Sequence, residues 1–125
     1  MWEFYNPNPI NLKTGDCSVR AIAKALDTTW EDAYSALSVN GFLMGDIPNA
    51  NHVIGSVLRQ HGFKRFIVPN ECPDCYTAED FCQDHPEGTY VVFFQNHVAC
   101  IKDGILYDSW DSSQETPLFY WTNNE

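Results

Sequence analysis

The dipeptide Asp103-Gly104 stands between two short apolar runs, HVACIK and ILYDSW, and constrains the fold more than any other pair of residues in the chain. A two-residue loop of this composition tolerates the positive φ angles of the hairpin turns whose twist matches that of the flanking strands. The two runs are therefore expected as antiparallel neighbours, and the second returns Asp108 to the neighbourhood of His97. Further strands are expected at Phe63 to Val68, in TYVVFFQ, and in LFYW after Pro117, with a short helix from Thr77 to Asp84 between the first two of these.

The chemistry upstream of Gly62 is different. Residues 1–16, MWEFYNPNPINLKTGD, are rich in proline and asparagine, which favour turn and extended conformations, and read as an irregular arm. From Cys17 to Leu26 small and apolar residues recur at helical spacing, with Ala21, Ile22, Ala25 and Leu26 on one stripe and Asp16 placed to cap the helix. A second helix is expected after Thr28 and Thr29, presenting Trp30, Ala33, Tyr34 and Leu37 and ending before Gly41. A third runs from about Asn49 to a stop at Gly62. Helices followed by an antiparallel sheet make an α+β domain, one unit over residues 1–125 with a frayed tail at 123–125.

Seven Lys and Arg against seventeen Asp and Glu give a net charge of −10, which repels phosphate backbones and anionic membranes. Nucleic acid and membrane are thus not expected as partners, whereas a cationic peptide or protein is favoured. The five cysteines are odd in number, no signal-peptide layout precedes them, and no apolar run approaches the length of a membrane-spanning helix, so a reducing, cytoplasmic setting is expected.

Cys17 is where the chain concentrates reactive chemistry. The first residue of a helix lies in the positive potential of unpaired backbone N–H groups, which favours the thiolate over the thiol. A nucleophile also needs a base within hydrogen-bonding reach, and that base gains from a third group that fixes its tautomer. His97, at the start of a strand, and Asp108, one hairpin later, are the candidates for these roles. Asp111 is the rival carboxylate, but it lies in the polar exit Asp-Ser-Ser, whereas alternation keeps Asp108 within the strand. His52, His61 and His85 are expected in surface or helix-capping roles.

TGDCSVRA, followed far downstream by HVACIKDG and then YDSWD, resembles the papain-like cysteine protease superfamily in chain order and elements. Asp108-Ser109-Trp110 stands where papain-type enzymes have Asn-Ser-Trp, while Gly15-Asp16-Cys17-Ser18 departs from their Gly-Ser-Cys-Trp. The resemblance extends to small uncharacterised papain-fold proteins of phages and prophages of Gram-positive bacteria, with a host or virion protein as the implied target. It implies a papain-like fold, a Cys17, His97, Asp108 triad and hydrolysis of a peptide or isopeptide bond through a thioester, without cofactor. The family's oxyanion glutamine, six positions before the cysteine, maps onto Asn11, with Asn8 or Asn6 as substitutes, and its tryptophan shielding the triad hydrogen bond maps onto Trp110. The same residues fit a transglutaminase-like acyl transferase, and the scaffold fits a non-catalytic binding or inhibitor protein.

One further cluster stands apart. Cys72, Cys75, Cys82 and His85 form Cys-x2-Cys-x6-Cys-x2-His, the right ligand types for structural zinc, though not a familiar finger spacing. The helix expected at Thr77 to Asp84 turns Phe81 and Cys82 inward, so packing is the favoured reading and no metal is expected. Tyr107, Phe119, Tyr120 and Trp121 read as sheet core.

Overall fold

A computed structural model describes residues 1–69 and 76–124. They form an α+β domain with strand β1 (Trp2–Phe4), helices α1 (Cys17–Ala25), α2 (Trp30–Met44) and α3 (Asn51–Gln60), strand β2 (Lys64–Ile67), helix α4 (Ala78–Asp84), and strands β3 (Thr89–Phe94), β4 (His97–Lys102), β5 (Ile105–Asp108) and β6 (Phe119–Thr122). The six strands make one mixed sheet in the order β1-β5-β4-β3-β6-β2, antiparallel except where β1 runs parallel to β5. None of the described helices is long and apolar enough to cross a membrane.

The sheet is covered on both faces, which is why β3 and β4 read as nearly unbroken apolar runs rather than alternating ones. On one face α1, α2 and α3 bury Ile22, Leu37, Ile54 and Leu58 against Val91, Phe93, Val98 and Trp121. On the other, α4 buries Phe81 and Cys82 against Tyr90, Val92, Ile101 and Leu106. Thr77 caps α4 through a reciprocal box with Asp80, the arrangement its sequence calls for. The hairpin forms where Asp103-Gly104 requires it, with positive φ at both residues (51° and 77°).

Four local expectations need correction. Residues 2–4 of the arm are a strand, because its backbone finds partners on β5 that lie a hundred residues away and leave no local trace. The sheet is accordingly mixed rather than purely antiparallel. Asp16 precedes α1 but makes no capping hydrogen bond; its carboxylate is drawn elsewhere.

Gly41 does not end α2, which runs to Gly45, a left-handed stop at φ 72°. Instead it admits the chain returning from α2, since a Cβ there would meet Asp46 O at 2.8 Å and Pro48 Cα at 3.2 Å. Alanine would gain about 1 kcal/mol in helix propensity. Overpacking against backbone costs about 1–3 kcal/mol, and backbone cannot swing aside as a side chain can. Gly41→Ala is expected to destabilise by about 1–2 kcal/mol net, measured as a lower urea midpoint at unchanged slope.

Candidate functional site

Cys17 opens α1, half-buried, at the end of the sheet where β4 begins and β5 finishes. Register explains how His97 and Asp108 meet. Ile101 pairs with Leu106 and Cys100 with Tyr107. Continuing the ladder sets Asp108 opposite Ala99, one diagonal step from His97, within reach of side chains of this length.

His97 Nε2 donates to Asp108 Oδ2 at 2.6 Å. That leaves the other ring nitrogen for Cys17, which lines the same cavity and whose charge favours the imidazolium. Burial alone pushes the His97 pKa down, but the bonds to Asp108 and Cys17 outweigh it and raise the group to about 9. Burial likewise pushes the Cys17 thiol up. The His97 hydrogen bond and charge, the Val98 backbone N–H and the Arg20 guanidinium reverse that, so the thiol lies below its ordinary range. Both shifts favour a thiolate beside an imidazolium over the neutral pair.

Asp108 is held from all sides at 1 % exposure. Oδ2 accepts from His97 and from Ser112 Oγ, each at 2.6 Å, while Oδ1 accepts from Ser109 N at 2.8 Å and Arg20 Nη2 at 3.2 Å. Burial would raise its pKa, but the His97 and Ser112 hydrogen bonds bring it below the usual carboxylate value. Its backbone is pinned too, since the carbonyl accepts from Tyr5 N at 2.8 Å and from Trp2 Nε1 at 3.2 Å. The strand unforeseen in the arm therefore serves the site.

Arg20, one turn into α1, also pairs with Asp16, whose other oxygen accepts from Trp30 Nε1 at 2.9 Å. Its guanidinium thus joins the residue before Cys17 to the carboxylate behind His97. The i, i+4 spacing of Asp16 and Arg20 was a readable signal for half of this bridge. With Asp16 engaged there, no side chain caps α1, and the N–H groups of its first turn stay available to a developing oxyanion.

The other expected residues fall as follows. Trp110, expected to shield the His97–Asp108 bond, is 44 % exposed and leans on the imidazole with ring centroids 4.8 Å apart. Asn11 is exposed in a turn at φ 56° and does not line the cavity holding Cys17 and His97. Asn8 Oδ1 accepts from Ile10 N and Leu12 N, and Asn6 Oδ1 accepts from Asn8 N, so both organise that turn. The carboxamides that line the cavity, of about 350 Å³, belong to Asn49, Asn51 and Asn96. They were missed because only the fold brings the start of α3 beside α1. Asp111 is exposed and accepts from Ser113 N.

Cys72 and Cys75 lie outside the described residues. Of their companions, Cys82 is buried in the core and His85 stacks on Phe81 at 3.9 Å with Nδ1 against Phe81 O. Among the described residues no three His, Cys, Asp or Glu side chains are grouped to hold a metal ion. His52 is exposed beside Asp46, and His61 contacts Val57 O. No family model, curated protein or solved structure matches the chain.

Proposed function

We propose that this chain is a papain-like cysteine hydrolase that cleaves a peptide or isopeptide bond. The observation that carries the reading is the 2.6 Å His97–Asp108 hydrogen bond, behind an imidazole that shares its cavity with a helix-opening cysteine. In the reaction the Cys17 thiolate adds to the carbonyl carbon, and charge develops on oxygen near the uncapped start of α1. His97 gives its proton to the departing amine as the C–N bond breaks, leaving a thioester on Cys17. Water, deprotonated by the now neutral His97, attacks the thioester and releases the acid. His97 carries both proton transfers, one to the amine and one from water, and the scheme calls on no cofactor. The net charge of −10 favours a cationic peptide or protein substrate.

Thiol chemistry tests this directly. Alkylation of Cys17 by iodoacetamide should proceed below the ordinary thiol range and decline only as pH falls through the lowered Cys17 pKa. In His97→Ala the thiol loses its hydrogen bond and counter-charge, and the rate at neutral pH should fall by about tenfold or more. Hydrolysis has a second limb, because it needs the imidazolium as acid. It should fall as pH rises through about 9, where alkylation persists. An ordinary thiol profile, unchanged by His97→Ala, overturns the proposal.

A further inference from the structure

A second cavity, of about 500 Å³, adjoins the one that holds Cys17 and His97; Ser18 and Asn49 line both. Its floor is α2 and the start of α1, through Trp30, Tyr34, Leu37 and Val19, and its outer wall is the arm, through Ile10 and Leu12. The arm is a built wall rather than a loose flap, since Asn8 Oδ1 gathers the N–H groups of Ile10 and Leu12 at 3.0 and 3.3 Å. Trp30 and Tyr34 stack on each other with centroids 5.0 Å apart. Asp16, the one charged residue in the lining, is neutralised by Arg20 and bonded to Trp30. The cavity thus offers apolar surface and no free charge, at a volume typical of small-molecule pockets. Ile10, Leu12 and Tyr34 remain 76 %, 52 % and 52 % exposed at its rim, large apolar groups left in water where a ligand would cover them.

The position relative to His97 decides which half of a substrate lies there. The departing amine must sit where His97 can protonate it, in the cavity that His97 lines with its neighbour Asn96. The acyl half then extends the other way, past Gly15, Asp16 and Ser18, which line the second cavity. We infer that this cavity binds a large apolar side chain, aromatic or branched aliphatic, carried by the residue whose carbonyl Cys17 attacks. The inference rests on the hydrolase reading of Cys17 for its direction, and its occupant is an amino-acid side chain because the cavity shares Ser18 and Asn49 with the one that holds that thiol.

N-acetylated amino-acid chloromethyl ketones test it without requiring turnover. The Cys17 sulfur displaces chloride, forming a C–S bond as the C–Cl bond breaks, and the amino-acid side chain is presented on the acyl side. Peptide mapping follows the adduct at Cys17 for acetyl-Phe, acetyl-Leu, acetyl-Ala, acetyl-Lys and acetyl-Glu reagents. The Phe and Leu reagents should react about tenfold or more faster than Ala, and the Lys and Glu reagents no faster than Ala. In Tyr34→Ala, and separately in Ile10→Ser on the exposed arm, the Phe-to-Ala ratio should shrink toward one. Equal rates for Phe and Ala overturn the inference, as does a preference that survives both substitutions. An ordinary iodoacetamide profile together with an intact Phe preference overturns the hydrolase reading and leaves the apolar site standing.

Discussion

Arg20→Ala is expected to unfold the protein more readily than any other single polar substitution. The guanidinium, 6 % exposed, is the cation between two carboxylates that are themselves 7 % and 1 % exposed. Burying a carboxylate without a compensating charge is costly, and removing one member of a buried ion pair typically destabilises by about 3–5 kcal/mol. Remaining partners soften the loss unequally. Asp108 keeps His97, Ser109 N and Ser112, whereas Asp16 keeps, among the described residues, only Trp30 as a side-chain donor. Arg20→Met preserves the packing of the aliphatic stem and should lose nearly as much, which assigns the loss to charge rather than volume. Adding Asp16→Asn to Arg20→Met should then recover part of it, since one uncompensated charge is removed. Urea midpoints of the two single variants and the double variant form the cycle. A loss below about 1 kcal/mol for Arg20→Met would place the pair among surface-like bridges and remove Arg20 from the argument.

Where the sequence spoke plainly, it spoke locally. Asp103-Gly104 determines a hairpin, the hairpin determines register, and register carries Asp108 to His97; each step spans a few residues and has a backbone cause. Cys17 was legible for the same reason, as the residue at which helical periodicity begins. The rest of the site depends on contacts between residues far apart in the chain. β1 has no amphipathic pattern that distinguishes Trp-Glu-Phe from a loop, and its strand character comes from pairing with β5. Asn49, Asn51 and Asn96 reach the cavity only because α3 packs near α1 and the β3–β4 turn lies beside it. Gly41 illustrates an ambiguity of residue type. A glycine near the expected end of a helix suggests a stop, yet close approach of Asp46 and Pro48 demands the same missing side chain.

The bridge through Arg20 also gives a physical reason for aspartate in a place where the resembled enzymes have asparagine, and makes Asp108→Asn the most informative substitution at the site. Oδ1 and Oδ2 of Asp108 both act as acceptors, toward Ser109 N and Arg20 on one side and toward His97 and Ser112 on the other. A carboxamide has one accepting end. In either orientation its NH2 group faces a donor, Arg20 or His97, and the negative charge that holds both is gone. His97 should drop from about 9 toward its ordinary 6.5, so at neutral pH the imidazolium becomes the minority form and the Cys17 thiolate loses its counter-charge. Iodoacetamide alkylation near neutral pH should slow by about tenfold, with its profile displaced upward. Turnover of an acyl-transfer substrate should fall further, by about 10²- to 10⁴-fold, because base orientation is lost as well as charge. Leaving one buried donor unmatched should cost about 1–3 kcal/mol in stability, so alkylation and turnover are compared at a urea-free temperature at which circular dichroism finds the variant folded. Asp111→Asn, on the exposed carboxylate three residues on, should leave the alkylation profile where it was. If the Asp108→Asn profile superimposes on that of the unaltered protein, Asp108 does not act through His97, and the 2.6 Å contact between them is structural only.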